Sequence, residues 1–273
     1  MINAKTQIAA VIGNPIEHSL SPLIHNTGIQ SLGLNFVYTA FKVTDVAAAI
    51  SAMRELNFVG YSVTIPHKVE VMKYLDEIDA QAKAIGAVNT VVNRSGRLFG
   101  YNSDCLGAMD ALKKATTLKG KKVYVLGAGG AARAIVAGLL FEKAEVIIFN
   151  RTFDHAKELA EEFDCGCAEW SELDSNCDVI INCTSVGMFP KVDATPLDEK
   201  LLEKKMVVFD IVYNPLETKL IKAAKARGCK AVEGVEMFLG QAYVQFEMFF
   251  DKPAPRELMR KVLLEELVRI RQK

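Results

Sequence analysis

Val123-Tyr-Val-Leu-Gly-Ala-Gly-Gly-Ala-Ala-Arg133 sets a short buried-type run directly before a glycine cluster, and the glycines open a helix-like stretch from Ala131 to Phe141. Strand, glycine turn and helix in that order are what a G-x-G-x-x-A phosphate-binding turn requires. Gly127 permits the tight turn, Gly129 lets a pyrophosphate approach the main chain, and Ala132 is small enough for the helix to pack closely on the strand. The helix N-terminus offers free N–H groups and the positive end of the helix dipole. The segment reads as a dinucleotide-binding turn in a parallel α/β domain.

The next strand candidate, Glu145 to Phe149, runs into Asn150-Arg151-Thr152. A carboxylate at this place suits the ribose hydroxyls of NAD, whereas an amide, a guanidinium and a hydroxyl suit the 2'-phosphate of NADP. Arg151 can form charge-assisted bonds to that phosphate, so the pattern favours NADP over the plainer reading of Arg151 as a surface turn residue.

Outward from this turn, Val- and Ile-rich clusters alternate with stretches of helical period. Later strands are expected at Asp178 to Asn182, Met206 to Ile211 and Cys229 to Val232. Earlier ones are expected at Gln7 to Ile12, Phe36 to Lys42, Phe58 to Thr64, Val88 to Asn93 and Arg97 to Tyr101, with helices at Ser21 to Ser31 and Asp45 to Leu56. A helical segment follows Asp104, and Val235 to Phe250 and Pro255 to Ile270 read as amphipathic helices. The fold class is α/β. An N-terminal α/β substrate domain over 1–104, completed by helices returning over 240–273, joins a Rossmann-type doubly wound parallel-sheet cofactor domain over 105–239.

Composition narrows the function. The 273 residues carry 33 Lys and Arg against 33 Asp and Glu, and half are hydrophobic, the balance of a folded globular chain with no basic excess for nucleic acid. No apolar stretch approaches the ~20 residues of a membrane-spanning helix, and no charged leader precedes an apolar run, so a cytoplasmic location is expected. The six cysteines include no Cys-x-x-Cys pair and the four histidines no His-x-x-x-His pair, so neither a disulfide framework nor a metal site is expected.

Three segments of the first domain put polar side chains at strand ends. His18-Ser19-Leu20-Ser21-Pro22 offers two hydroxyls for a carboxylate, with helix capping by Ser21 as the plainer alternative. Ser62-Val-Thr64-Ile-Pro66-His67-Lys68 places a lysine beyond a strand, where it is either a solvated cation or a proton donor and acceptor. Gly86-Ala-Val-Asn89-Thr90 and Gly100-Tyr-Asn102-Ser-Asp104 add an amide and a carboxylate, and Asp104 can also cap the following helix.

These motifs, together with Asn182-Cys-Thr-Ser-Val-Gly-Met188, Asp210-Ile-Val-Tyr-Asn-Pro215 and Gly234-Val-Glu-Met-Phe-Leu-Gly-Gln-Ala242, resemble the shikimate dehydrogenase family over nearly the full chain. The resemblance implies an enzyme of aromatic amino-acid biosynthesis that interconverts 3-dehydroshikimate and shikimate with NADP, its substrate lying in a cleft between domains. It implies Lys68 as catalytic acid and base with Asp104 as partner. Ser19, Ser21 and Tyr213 would hold the substrate carboxylate, and Thr64, Asn89, Asp104 and Gln241 the ring hydroxyls. The cofactor would lie against Gly127, Ala128, Gly129, Gly130, Ala131, Asn150, Arg151, Thr152, Thr184, Ile211 and Gly234. The implied assembly is a monomer or homodimer, and the implied partners include neither nucleic acid nor membrane.

The chain departs from the family pattern at His155, where an arginine is common, which implies a smaller margin for NADP. Ser103 replaces a threonine, and Phe249 and Phe250 stand where a tryptophan is expected. The alternatives are a quinate or dual-specificity dehydrogenase using NAD or NADP, and a protein that senses the ligand without turning it over. Glutamyl-tRNA reductase shares a similar glycine turn but uses a cysteine nucleophile in its first domain, and no cysteine precedes residue 105 here.

Overall fold

A computed structural model describes residues 2–271 and divides the chain into two compact units. One contains the chain up to Ser103 and again from Gln241; the other runs from Asp104 to Gly240.

In the first unit, β1 (Gln7–Gly13), α1 (Ser21–Ser31), β2 (Phe36–Lys42), α2 (Val46–Glu55) and β3 (Gly60–Val63) are followed by β4 (Glu77–Ile78), α3 (Ala80–Ile85), β5 (Thr90–Arg94) and β6 (Arg97–Tyr101). The sheet order is β2-β1-β3-β5-β6-β4. The first three strands are parallel, and β5 is antiparallel to both its neighbours. The reversal is local: Ser95 and Gly96 both take positive φ, as a two-residue hairpin turn demands, and Asn93 Oδ1 accepts the Gly96 N–H at 2.8 Å. Asp45 and Asp79 cap α2 and α3 by accepting main-chain N–H groups of the first turn. Ile12, Tyr61, Val63, Val71, Val91 and Leu98 form the centre of a core on this sheet.

The second unit holds most of α4 (Ser103–Lys113), then β7 (Lys122–Leu126), α5 (Gly130–Phe141), β8 (Glu145–Phe149), α6 (Phe153–Phe163), β9 (Gly166–Ala168), β10 (Val179–Asn182), β11 (Val207–Asp210), α7 (Lys219–Ala226) and β12 (Lys230–Val232). Its strands are all parallel in the order β12-β11-β10-β7-β8-β9, with the chain reversing direction across the sheet beside β7. That is the doubly wound order, and it places a crevice at the carboxyl ends of β7 and β10. Every residue of β10 and of β11 is buried, as strands covered on both faces require.

The division between units falls within α8 (Gly234–Phe250), and α9 (Arg256–Arg271) packs on α1. Phe249 and Phe250 are both buried, and with Phe246 they surround His25, whose ring stacks on Tyr38 at 4.2 Å. Burial pushes the His25 pKa down to about 3, and neither ring nitrogen has a hydrogen-bond partner among the described residues. This histidine is a neutral aromatic plate in the core.

Two expected strands are shorter than their apolar runs. Thr64 leaves β3, and Val88 and Asn89 precede β5, their N–H groups bonding to the carbonyls of Lys68 and Tyr101. A Cβ on Gly60 would lie 2.5 Å from Phe249 Cδ1 and 2.7 Å from the Val91 carbonyl oxygen. Overpacking against main chain costs about 1–3 kcal/mol, more than the 0.4–1 kcal/mol that alanine typically gains by restricting the unfolded chain. Gly60→Ala should therefore lower the urea midpoint, whereas an unchanged midpoint would contradict the seating of α8 on this sheet.

Candidate active site

The parallel strands of the first unit end at one edge. Thr64 stands at the end of β3, its N–H bonded to the Ile12 carbonyl at 2.9 Å and its methyl against Gly13. His67, buried, donates its N–H to the Thr64 carbonyl at 3.0 Å and bonds the Val43 carbonyl through Nε2 at 2.9 Å. Lys68 follows, half-buried, and its carbonyl accepts the Val88 N–H at 2.8 Å. Asn89 is next in line. Its carbonyl takes the Val63 N–H at 2.8 Å and its own N–H reaches the Tyr101 carbonyl at 3.1 Å. Thr64, Lys68 and Asn89 are thus held by one set of main-chain bonds.

Asn89 also begins α4. Its Oδ1 accepts the Ser103 N–H at 2.7 Å, satisfying a donor that the helix cannot pair internally. Asp104 therefore does not act as the cap suggested by its position before a helical run: it lies buried inside the first turn, where a carboxylate complements the helix dipole. Ser21 likewise lies inside α1 beside Pro22, with Leu20 at the N-cap and no side-chain cap bond. Ser19 Oγ accepts the Ser21 N–H at 3.3 Å, which leaves the hydroxyl proton of Ser19 free of that bond.

Three buried residues that the sequence did not single out connect this constellation. Tyr38 bonds Ser62 at 2.7 Å, Ser62 donates to Gln245 Oε1 at 2.7 Å, and Gln245 Nε2 reaches Thr90 Oγ1 at 3.0 Å. The available signals were a hydroxyl inside an otherwise apolar strand and a second amide one helical turn after Gln241. Both glutamines are buried on α8.

In the second unit Gly127 takes φ +111° and Gly129 is the N-cap of α5. A Cβ at Gly127 would press on Thr184 Cγ2 at 3.1 Å, whereas a Cβ at Gly129 would meet no atom within 4 Å. The turn is therefore crowded from below and open above. Ala128, Gly130 and Ala131 continue it, and the N–H groups of this first turn lie at a helix end with no internal acceptors. Asn150 turns inward to bond the Thr152 carbonyl at 2.8 Å, leaving Arg151 and Thr152 exposed at the end of β8, the strand beside β7. His155 is exposed on the first turn of α6.

Thr184 and Ile211 follow β10 and β11. Asn182 Oδ1 accepts both the Thr184 N–H and its hydroxyl, at 3.0 and 2.7 Å, and the Ile211 N–H bonds the Asn182 carbonyl at 3.1 Å. Asn182 is itself held by Asp210, fully buried, which also accepts from Thr218 at 2.6 Å and the Val212 N–H at 3.1 Å. Burial pushes the Asp210 carboxyl up to about 6 against these three donors. At Gly234 a Cβ would stand 2.5 Å from the Val212 carbonyl oxygen, so α8 starts in contact with the main chain after β11. Tyr213 belongs to this unit, its ring stacked on Phe238 at 4.4 Å, and burial pushes its phenol up to about 12. Among the described residues no cluster of His, Cys, Asp and Glu is arranged to hold a metal ion, and no helix is long and apolar enough to cross a membrane.

Comparison with known proteins matches residues 11–91 to the shikimate dehydrogenase substrate binding domain, 110–225 to shikimate / quinate 5-dehydrogenase and 234–264 to the shikimate 5'-dehydrogenase C-terminal domain. A Methanocaldococcus jannaschii protein named shikimate dehydrogenase (NADP(+)) is 43% identical, covering 98% of this chain and 100% of its own length. A Geobacillus kaustophilus protein of the same name is 44% identical over 96% of this chain and 99% of its own. The Thermus thermophilus shikimate 5-dehydrogenase, solved in complex with NADP(H) and shikimate, superposes with a TM-score of 0.88 at 35% identity, covering 95% of this chain and 99% of that one. With all three domain models aligned in order and full-length relatives above 40% identity, the chain belongs to the shikimate dehydrogenase family.

Proposed function

We propose that the protein is an NADP-dependent oxidoreductase that reversibly reduces 3-dehydroshikimate to shikimate, with Lys68 as acid and base. The observation that carries this assignment is the pinning of Lys68 beside Asn89, a lysine and an amide presented together where β3 ends and β5 begins in a mixed sheet. NADPH, when bound, supplies the hydride. Negative charge then gathers on the ring oxygen, where the Lys68 ammonium neutralises it by giving a proton; in the reverse direction the amine takes that proton back. Asp104 fixes the ring hydroxyls and supports the charge of Lys68. Asn89, Thr64 and Gln241 bind hydroxyls, and the hydroxyls of Ser19, Ser21 and Tyr213 bind the carboxylate.

The second unit fits the cofactor. Gly129 leaves the main chain open where a pyrophosphate must approach, the first turn of α5 offers N–H donors, and Gly127, Ala128, Gly130 and Ala131 add no bulk. Arg151, with Asn150 shaping its turn and Thr152 beside it, meets the 2'-phosphate. Thr184, Ile211 and Gly234 border the carboxyl ends of β10 and β11, where Asn182, itself bonded to the Asp210 carboxylate, holds Thr184 and the Ile211 N–H. With His155 standing where an arginine would add a second guanidinium fork, preference for NADP over NAD rests mainly on Arg151.

Initial rates with shikimate or quinate, each with NADP or NAD, should be highest for shikimate and NADP, and a higher rate with quinate and NAD would overturn the assignment. Lys68→Ala should lower kcat by roughly 10²- to 10⁴-fold and leave NADP affinity unchanged; wild-type turnover would remove Lys68 from the chemistry. Asp210 gives a pH signature. Its carboxyl is raised from 3.8 to about 6 on folding, so the folded protein keeps a proton that the unfolded chain has released. The associated stabilisation is complete below the unfolded value and is lost as pH rises through about 6. Between about pH 5 and 7.5 the urea midpoint of the wild type should fall relative to that of Asp210→Asn, and parallel midpoints would show that Asp210 does not titrate in this range.

A further inference from the structure

We infer that Gln245 is a positioning residue that sets the proton direction of the substrate-binding hydroxyl and amide side chains, joining Ser21 at one end to Asn89 at the other; this rests on the assignment of those two residues to the substrate. The orientation of Gln245 is dictated by the main chain. Its Nε2 faces the Asn89 carbonyl at 3.3 Å, and a carbonyl can only accept, so the amide oxygen must face Ser62. Ser62 has one proton and gives it to Gln245, at 2.7 Å. It can then only accept from Tyr38, 2.7 Å away, and Tyr38 spends its own proton there. The Ser21 hydroxyl lies next to the Tyr38 phenol, which in this arrangement can only accept from it. Tyr38 therefore has no proton to give to Ser21, and the Ser21 hydroxyl remains a donor that can turn to a carboxylate.

The other arm fixes an amide. Gln245 Nε2 also donates to Thr90 Oγ1 at 3.0 Å, which passes its proton to Asn89 Oδ1 at 2.8 Å. Ser103 N–H donates to the same oxygen at 2.7 Å, so the Asn89 oxygen is occupied by donors and its nitrogen is the group left to donate. One Asn89 amide hydrogen goes to Ser103 Oγ at 3.0 Å, which leaves the second for the ring hydroxyl that the proposed function assigns to this residue. Gln245 is 1% exposed and Ser21, Tyr38, Ser62, Asn89, Thr90 and Ser103 are all buried, so these rotors are not reset by solvent. A network of this kind is stiff while complete and loses its direction when a member is removed.

Gln245→Met keeps the length of the side chain and removes all three of its hydrogen bonds. It should raise the shikimate KM about 5- to 30-fold with the NADP KM unchanged, a split that general loosening of the fold would not produce. Tyr38→Phe, which removes one hydroxyl, should raise it in the same direction, and the double variant should be no worse than the worse single variant, because both cut one path. If Gln245→Met does not fold, Tyr38→Phe and Ser62→Ala carry the test alone. Ser21→Ala is the control. A raised shikimate KM in Ser21→Ala with wild-type KM in the network variants would overturn the role of Gln245, whereas an unchanged KM in Ser21→Ala would overturn the substrate assignment on which it rests. Full additivity of Gln245→Met and Tyr38→Phe would also overturn it.

Discussion

The buried amide of Asn89 is the joint on which the first unit turns. Its side-chain oxygen caps α4, its carbonyl extends β3 by one bond, and its N–H closes on the end of β6. A buried donor or acceptor left unpaired costs about 1–3 kcal/mol, so none of these three attachments can be given up cheaply. Their combined effect is to hold in place the two residues to which the proposed function assigns the proton transfer and its support. Lys68 is tied to the adjacent Val88, and Asp104 follows directly on the capped Ser103. On the proposed assignment, a fixed position lets the lysine pass a proton in register with hydride transfer.

The second unit solves a related problem with a carboxylate. Strands β10 and β11 are buried throughout, and the polar residues that end them, Asn182 and Asp210, satisfy one another and the loops that follow. The carboxylate accepts three hydrogen bonds and still titrates high, because burial outweighs the donors. Its value to the fold is geometric: Thr184 is held against Gly127, where a side chain in place of hydrogen would collide with it. The glycine at 127 is required by φ and by this contact, while the glycine at 129 is required by nothing inside the protein. A residue kept small without an internal reason is what an approaching ligand demands.

What was legible in the sequence is what chemistry fixes locally. Strand and helix periods and the glycine turn depend on neighbours within a few residues, and the spans expected from them agree with the structure to within a residue or two. The roles of Thr184, Ile211 and Gly234 came from family resemblance, because their proximity arises from strands far apart in the chain. Capping by Asp104 is a local reading that tertiary structure replaces, since Asn89 reaches α4 from the segment before β5, and Ser21 lies inside α1 with Leu20 at the N-cap. The Ser62 to Gln245 bond spans 183 positions, and no local pattern carries such a pairing. Two-residue β4 is too short to show a period.

Shikimate deuterated at the carbon that bears the 3-hydroxyl, incubated with this protein and NADP, tests the central claim most directly. The account predicts that the label appears in the reduced nicotinamide, one deuterium for each 3-dehydroshikimate formed, with none released to water. Label found in solvent, or the absence of any reduced nicotinamide, would contradict it.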